Sequence, residues 1–347
     1  MTLIGLLHQR NDPRTVRKAY YYAMAAKAEN VELIYFTPQS VDFDNHKING
    51  LMYVNGGWRP VQRRFPDVIY NAGSPAKLAN YPEIINRLKK EIPFTTHSVG
   101  HKMSVYRRLK AAETFSDYLI PSISITSVET LFDFMSQHPT VVFKPIDGHK
   151  GQGVTFIEKY ANHYLVKYSG QQFSYTQTQL DDFVQQRLKE RQYLAQPYIN
   201  SRTQKGIPFD LRLHVQKNGQ GEWIINLMYA RLSRSQSIVV TNLSSGGSRI
   251  PIDQFLRNEY PNSAESRKKQ LENFALQLAK HLDDLQLENH GERLDELGID
   301  IGIDQNNKIW IYEVNWRPGL PHALYGKTHY ELTMLQYAEY LTKHSQP

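Results

Sequence analysis

A lysine at the end of an apolar strand, followed by a glycine-rich loop and then a second strand, restricts the fold of this chain more than any other feature. Lys144 ends the first strand, a strand pattern resumes at Val154, and three glycines fall within six residues between them, at Gly148, Gly151 and Gly153. Nucleotide loops of the Walker and Rossmann types lead into a helix. This loop leads into a strand, so we expect a sheet hairpin instead.

The composition of the same loop suggests anion binding. Glycine lets backbone N–H groups approach phosphate oxygens without a Cβ in the way, and Lys144 adds a fixed positive charge at the strand end. The alternative is a glycine-rich hairpin loop with an exposed lysine. The segment alone does not decide between them.

The first ninety residues alternate short apolar strands with helical patterns. Strands are predicted at Leu3–Leu7, Val31–Phe36 and Asp67–Tyr70, and helices at Pro13–Ala28 and Tyr81–Lys90. Alternation of this kind indicates a small parallel α/β unit. A hairpin turn is predicted within residues 53–58, which contain a glycine pair.

The remainder of the chain is richer in antiparallel strands, so the fold class is α/β with an α+β later part. A capping box at Thr126-x-x-Glu129 is expected to open a helix. Hairpins are predicted from Phe209 to Arg231 and from Ile299 to Val314, with an amphipathic helix between them.

Three oxygen-bearing side chains lie on the last predicted hairpin. Asp300 is expected opposite Glu313, and Asn315 shares a face with Glu313 because the two are two residues apart. Like charges across a ladder repel unless a cation lies between them. Carboxylate and amide oxygens are ligands that Mg²⁺ prefers. The alternative is a solvated polar face, and Asp304 is interpreted as a turn residue.

Two arginines are expected on one face of the preceding hairpin. Arg212 and Arg231 project together if the turn centres on residues 219–220. A guanidinium pair suits bidentate binding of phosphate or carboxylate, whereas ion pairs with Asp210 are the alternative.

Composition excludes several classes of protein. The 347 residues contain no cysteine, which removes disulfides, thiolate metal sites and a cysteine nucleophile. No Gly-x-Ser-x-Gly motif is present, and His97 and His101 lack the Glu of a zinc-binding His-Glu-x-x-His motif.

Charge and hydropathy bear on partners and location. The net charge is +7, yet no nucleic-acid motif is found, so we expect no nucleic-acid partner. No apolar run approaches the roughly 20 residues of a membrane helix, and the start of the chain does not resemble a signal peptide. A cytoplasmic protein without a membrane partner is expected.

Together these motifs resemble the ATP-grasp superfamily over roughly residues 95–345, and more narrowly the YheC/YheD endospore coat-associated family. The segments that carry the narrower likeness are Pro66–Asn71, Pro208–Arg212, Gln216–Asn218 with Trp223, and Thr241–Leu243 with Gly246-Gly247, before the Glu-Val-Asn ending at 313–315. The resemblance implies a pre-ATP-grasp α/β domain at 1–95 and an ATP-grasp region at 96–347. Within that region it implies a lid subdomain at about 120–195 and a metal- and phosphate-binding subdomain at 196–347.

The resemblance also assigns site residues. Lys102 and Lys144 would contact phosphates, and the loop with Gly148, Lys150, Gly151 and Gly153 would cover the triphosphate. Gln196 and Ile199 would contact adenine, although many ATP-grasp enzymes carry Glu at the position of Gln196. Asp300, Glu313 and Asn315 would hold Mg²⁺, with two ions expected and Mn²⁺ as an alternative. The residues that would surround the transferred phosphate are Arg212, Arg231 and Asn242.

The implied activity is ATP-dependent ligation of a carboxylate to an amine, or to a thiol, through an acylphosphate. Small-molecule or peptide substrates and a link to the spore coat are implied, with spore-coat proteins as partners. The alternative is a nucleotide-binding coat or scaffold protein without ligase activity. Tyr70, Asn71 and Arg317 are candidate substrate contacts.

Overall fold

The fold is built on three sheets that follow one another along the chain. The structure, a computed structural model, describes residues 1–100, 102–146, 153–234, 247–318, 320–321, 324–326 and 329–344. No helix within these ranges is both long and apolar enough to cross a membrane.

The first sheet has a parallel centre and an antiparallel margin. β1, β2 and β6 are parallel, and the order is β3-β4-β2-β1-β6 with β5 paired to β4. The strands are β1 (Leu3–Leu7), β2 (Glu32–Phe36), β3 (Val41–Asp42), β4 (Lys47–Val54), β5 (Gly57–Arg64) and β6 (Val68–Asn71). The helices are α1 (Arg17–Ala28), α2 (Pro75–Leu78) and α3 (Pro82–Glu91), with short 3₁₀ turns at Pro13–Thr15 and Pro38–Ser40.

The parallel α/β unit predicted from the sequence is present, and so is its hairpin. Asn55 and Gly56 form the turn between β4 and β5 with φ angles of 49° and 80°. Positive φ at both central residues is the requirement of a type I′ hairpin turn, which Asn-Gly meets at low cost.

The second sheet contains the strand that ends near Lys144. Its order is β11-β10-β9-β8-β12-β7, and all its pairs are antiparallel. The elements are α4 (Lys102–Ala111), which precedes the sheet, then β7 (Ile123–Ile125), α5 (Val128–Gln137), β8 (Thr140–Pro145), β9 (Thr155–Lys159), β10 (Tyr164–Tyr168), β11 (Gln171–Tyr175), α6 (Gln177–Glu190) and β12 (Tyr193–Pro197), with a 3₁₀ turn at Ser116–Tyr118. The strand after the glycine-rich segment therefore pairs antiparallel with the strand before it.

The cap of α5 differs from the sequence prediction. Ser127, and not Thr126, is the N-cap residue, and its hydroxyl accepts a hydrogen bond from the Thr130 backbone N–H at 3.3 Å. The capping motif of the sequence is thus displaced by one residue, because Ser127 has the extended backbone (φ −150°) that an N-cap needs.

The third sheet is antiparallel throughout, in the order β15-β14-β13-β16-β17. Its elements are β13 (Phe209–Lys217), β14 (Trp223–Leu232), β15 (Ser248–Pro251), α7 (Ile252–Glu259), α8 (Ala264–His290), β16 (Glu296–Ile303) and β17 (Ile309–Trp316). One face of β13 and β14 packs on the apolar side of α8, which buries Leu271, Ala275, Leu278 and Leu282.

The C-terminal helix joins the third unit to the first. α9 (Tyr330–His344) packs against α1 and buries Met334, Leu335 and Ala338 in the same apolar cluster as Ile4 and Leu6 of β1. This contact fixes the first sheet beside the end of β17.

Candidate functional site

Lysines from two separate elements meet a carboxylate of the third sheet. Lys102 opens α4, Lys144 lies on β8 and Glu313 lies on β17. The Nζ atom of Lys102 lies 3.2 Å from the Oε2 atom of Glu313. The structure therefore brings together Lys144 and Glu313, which lie in separate sequence motifs, and Lys102, which only the family resemblance had selected; we call the three the lysine cluster.

Lys144 is the most desolvated member of the lysine cluster. The pKa of its ammonium is lowered from 10.5 to about 8, mainly by burial and also by the positive charge of Lys102, with Glu313 partly offsetting both effects. Among the described residues no carboxylate oxygen lies within ion-pair distance of Lys144. A half-buried ammonium under these conditions favours an anionic ligand.

The last hairpin has the register that the sequence predicted at its polar residues. Asp300 is paired with Glu313 and Gly298 with Asn315, and a bulge follows Asp300. Glu313 and Asn315 lie on one side of β17, two residues apart. Asp304 is a turn residue, and its carboxylate accepts hydrogen bonds from the backbone N–H groups of Asn306 and Lys308.

Asp300 is held by two arginines. Arg212 binds its carboxylate in a bidentate manner, with Nη2 to Oδ2 at 2.9 Å, and Arg231 approaches Oδ1 at 3.1 Å. Burial would raise the pKa of Asp300, but Arg212 and Arg231 together hold it below its usual value.

The second arginine also binds the acid that the sequence analysis offered as its alternative partner. Nε of Arg231 donates to Oδ1 of Asp210 at 2.5 Å. Asp210, Arg212, Arg231 and Asp300, which we call the arginine cluster, are therefore linked by ion pairs. The two arginines do lie on one face of the hairpin, since Arg231 pairs with Asp210 and Arg212 with Tyr229 in the strand register.

The two residues predicted to contact adenine, Gln196 and Ile199, lie on and just after β12, the strand next to the one that carries Lys144. β12 pairs with β8, so Leu194 is opposite Lys144 and Gln196 is opposite Val142. The Gln196 amide donates to the Ser122 hydroxyl at 2.6 Å and is buried. Its side chain is therefore occupied within the protein, whereas Ile199 follows the strand and is half-buried.

The glycine-rich segment is described at one of its glycines. Gly153 has a φ of +72°, and a Cβ there would lie 2.8 Å from Cγ of Pro145. Both facts require glycine at this position. Gly148, Lys150, Gly151 and Asn242, and His101 of the discarded zinc motif, lie outside the described residues.

The oxygen donors on the hairpin are chemically suited to a hard cation. Glu313 and Asn315 offer a carboxylate and an amide oxygen on adjacent positions of one strand face, and Asp300 faces Glu313. Carboxylate and amide oxygens match the preference of Mg²⁺. Among the described residues no group of three or more His, Cys, Asp and Glu side chains is placed to bind a metal. The set contains two acids and one amide, and both oxygens of Asp300 are already bound by Arg212.

The sequence analysis missed one cation near this site. Lys18 on α1 lies over the ring of Tyr70, with Nζ 5.6 Å from the centroid. The available signal was its position one helical turn before Tyr22, a fully buried residue. A lysine on the buried face of a helix is energetically costly unless its charge is compensated.

Known proteins match the chain in sequence and in fold. The sequence profile of the YheC/D-like ATP-grasp family matches residues 91–341. The endospore coat-associated protein YheD of Bacillus subtilis is 27% identical over 327 residues, which cover 89% of this chain and 70% of that protein.

Two solved structures have the same fold at low sequence identity. D-alanyl-alanine synthetase A from Vibrio cholerae superposes with a TM-score of 0.58 at 13% identity, covering 99% of this chain and 96% of that chain. A RiPP-associated ATP-grasp ligase from Chryseobacterium gregarium, in complex with ADP and a leader and core peptide, has a TM-score of 0.53 at 15% identity, with 100% and 98% covered. The fold is that of ATP-grasp ligases, and the chain belongs to the YheC/D-like ATP-grasp family.

Proposed function

We propose that the protein is a ligase that uses Mg-ATP to join a carboxylate to an amine, or to a thiol, through an acylphosphate. The observation that carries the proposal is the lysine cluster, in which α4, β8 and β17 contribute Lys102, Lys144 and Glu313 to one place. Membership of the ATP-grasp family supports a ligase-type reaction at this cluster.

In this proposal the two lysines bind the phosphates of ATP. Lys144 is half-buried and lacks an ion-pair partner among the described residues, so a phosphate oxygen would supply the missing negative charge. Lys102 would turn from Glu313 to the phosphates when the nucleotide binds. Fixed cations of this kind stabilise charge that develops during phosphoryl transfer.

Glu313 and Asn315 would hold Mg²⁺, with Asp300 as the third donor. A bound Mg²⁺ neutralises phosphate charge and orients the phosphate oxygens. Asp300 can contribute only a lone pair that Arg212 and Arg231 leave available. We therefore propose Glu313 as the main Mg²⁺ ligand. Asp300 would also anchor Arg212 and Arg231, which, with Asn242, would surround the transferred phosphate.

The bond changes follow from the chemistry of acyl activation. A substrate carboxylate oxygen bonds to the γ-phosphorus as the bond to the ADP oxygen breaks. The amine then bonds to the acyl carbon, inorganic phosphate leaves, and the amine releases a proton. No nucleophile of the protein is needed, so the chain's own task is to bind, orient and exclude water. The segment with Gly148, Lys150, Gly151 and Gly153 is the proposed cover over the triphosphate.

The adenine contact is proposed for the stretch after β12. Gln196 is bound to Ser122, so recognition by the backbone from Gln196 to Ile199 is favoured over recognition by the Gln196 side chain. The ADP complex of the Chryseobacterium gregarium ligase supports nucleotide binding by this fold, and its bound peptides make a peptide substrate one of the candidates.

The experiment is hydroxylamine trapping. Purified protein is incubated with Mg-ATP, hydroxylamine and a panel of amino acids, short peptides and dicarboxylates, and the hydroxamate and ADP are measured. Equal amounts of both from one carboxylate would support an acylphosphate. ATP binding without ADP release for any carboxylate would favour the second candidate below.

The second candidate is a nucleotide-binding coat or scaffold protein without ligase activity. The observation that favours it is the name of the Bacillus subtilis relative, an endospore coat-associated protein. ADP protection against thermal unfolding is expected for both candidates. Only the ligase makes a hydroxamate, and loss of that product in Glu313→Gln would assign it to this site.

A further inference from the structure

Two cations that form no ion pair with any described residue flank the end of β6. Lys18 comes from the first turn of α1, and its Nζ atom lies 5.6 Å from the centre of the Tyr70 ring. Arg317 follows β17, and its Nη1 atom donates to the carbonyl oxygen of Asn71. Tyr70 and Asn71 are the last two residues of β6, so the two cations approach the same strand end from different parts of the chain.

Neither cation has a carboxylate within ion-pair distance among the described residues. The acid whose charge acts on both is Glu296. Its oxygens are already occupied, since Oε1 lies 3.0 Å from Nε2 of His214 and both oxygens accept hydrogen bonds from the Tyr330 hydroxyl. The positive charge at this strand end is therefore incompletely balanced.

The position of Lys18 is electrostatically unfavourable without a ligand. It lies in the first turn of α1, where the helix dipole is positive and no acidic residue is present. Burial and, to a smaller extent, Arg317 lower the pKa of Lys18 to about 8, against a partial offset from Glu296. An unpaired cation in a desolvated place destabilises a protein, so a bound anion would stabilise Lys18 where it lies.

The backbone of Arg317 supports the same view. Its φ is +45°, a left-handed conformation that is uncommon for a residue with a long side chain and that the surrounding structure must hold in place. The turn directs the guanidinium across the Trp316 ring, 4.2 Å from its centre, toward the end of β6. In open α/β sheets ligands bind at the carboxyl ends of parallel strands, and β6 ends here beside β1.

We propose that Lys18 and Arg317 bind a second anionic group of the substrate, distinct from the carboxylate that is activated. This inference rests on the proposed ligase function and specifies its substrate as a molecule with at least two anionic groups. Arg317 lies four residues beyond Glu313, or at most about 13 Å along an extended strand. A dicarboxylate, an acidic peptide or a phosphorylated acid carries two such anionic groups.

The first test needs no substrate. Lys18→Met removes the charge and keeps the length of the side chain, and its matched control is Lys27→Met on the same helix, where the ammonium lies over the Tyr53 ring. Without ligand at low salt, we expect Lys18→Met to raise the melting temperature by about 2 °C or more, since a costly charge is removed. Lys27→Met should not raise it. A lower melting temperature in Lys18→Met would contradict the proposal.

The second test uses succinate and inorganic phosphate as probes, with ADP present to occupy the nucleotide site. At least one probe should raise the melting temperature of the wild type. Its half-saturating concentration should increase about tenfold or more in Lys18→Met and Arg317→Met, and Lys18→Arg should restore binding. Succinate as the better probe indicates a carboxylate group, and phosphate indicates a phosphoryl group. A wild type that responds to neither probe, or variants that respond like the wild type, would overturn the proposal.

The two proposals fail in different ways. Wild-type protein that binds ADP but shows no anion effect at Lys18 would retain the ligase proposal and remove the second anionic group. Protein that binds succinate through Lys18 but does not bind ADP would remove the ligase proposal and retain the anion site.

Discussion

The arginine cluster lies wholly on the third sheet, whereas the lysine cluster combines α4, the second sheet and the third sheet, and the charges of the two clusters are balanced differently. In the arginine cluster, Arg231 lies within ion-pair distance of both Asp210 and Asp300. The pKa of Arg231 is accordingly raised and that of Asp300 is lowered, so both charged forms are stabilised in the folded protein. In the lysine cluster the pKa of Lys144 falls to about 8. A raised pKa marks Arg231 as a cation that is already paired within the fold, whereas a lowered pKa marks Lys144 as a cation that favours an anionic ligand.

The largest effect is expected from breaking the arginine cluster. Asp300→Ala would leave Arg212 and Arg231 buried with one carboxylate fewer, and loss of a buried pair costs about 3–5 kcal/mol. Denaturant unfolding should show a fall of this size in the free energy of unfolding. The control is Asp253→Ala, whose ion pair with Lys268 is largely exposed and should contribute less than about 1 kcal/mol. Equal losses in both variants would show that the arginine cluster is no more than a surface network.

Removing the carboxylate of the lysine cluster should affect turnover more than stability. Glu313→Gln keeps the size of the side chain and removes its charge, so we expect ADP release with a competent carboxylate to fall by about 10²–10³-fold, typical for a transition-state contact. The rate is measured against Mg²⁺ concentration. Wild-type rates at all Mg²⁺ concentrations would remove Glu313 from the site.

Removing the Lys144 ammonium should weaken nucleotide binding without loss of stability. Lys144→Met is expected to raise the dissociation constant for ADP about 100-fold, equivalent to about 2.7 kcal/mol. Titration calorimetry measures the binding, and thermal unfolding measures the stability. The matched control is Lys167→Met on β10 of the same sheet, where the ammonium lies over the Phe156 ring and should leave ADP binding unchanged. Unchanged affinity in Lys144→Met would separate Lys144 from the nucleotide.

Two lysines with a lowered pKa, Lys18 and Lys144, should make the stability of the protein depend on pH. Lys18 and Lys144 both have a folded pKa of about 8, below the usual 10.5. The unfolded chain therefore binds more protons above pH 8, and stability rises with pH. We expect this rise between pH 8 and about 9.5, below the range in which tyrosines ionise. In Lys18→Met the rise should be smaller, and an equal rise would show that Lys18 is not desolvated.

The smallest expected effect lies outside both clusters, at the start of α5. Ser127→Ala removes the hydroxyl that accepts from the Thr130 backbone N–H and should cost about 1 kcal/mol, as for other N-caps. Thr126→Ala should cost less, because the Thr126 side chain is not the cap. Denaturant unfolding of both variants decides which residue caps the helix, and a larger loss in Thr126→Ala would restore the prediction made from the sequence.

Local patterns determined the parts of the site that lie on one hairpin. The pairing of Asp300 with Glu313 follows from strand alternation and a short turn, and it is present in the structure. The capping error at Ser127 is of the same local kind, because adjacent threonine and serine satisfy the same motif. These features depend on neighbours within about 15 residues, which the sequence displays directly.

Contacts between distant elements could not be derived from local patterns, and only the family resemblance linked Lys102 to Lys144 and Glu313. The acid that binds Arg212 comes from β16, 88 residues away, so the sequence analysis considered only the nearby Asp210. Likewise Lys18 and Arg317 approach the same strand end only because α9 packs the first sheet beside the third. Such long-range contacts determine whether a charged side chain is paired, and this pairing is the difference between the arginine cluster and the lysine cluster.

The most direct test of the account is a crystal structure of the protein with Mg²⁺ and a non-hydrolysable ATP analogue. The account predicts the triphosphate between Lys144 and Glu313, with Lys102 within hydrogen-bond distance of a phosphate oxygen and the arginine cluster still paired to Asp300. A nucleotide bound elsewhere, with Lys102 still on Glu313 and no ligand at Lys144, would contradict it.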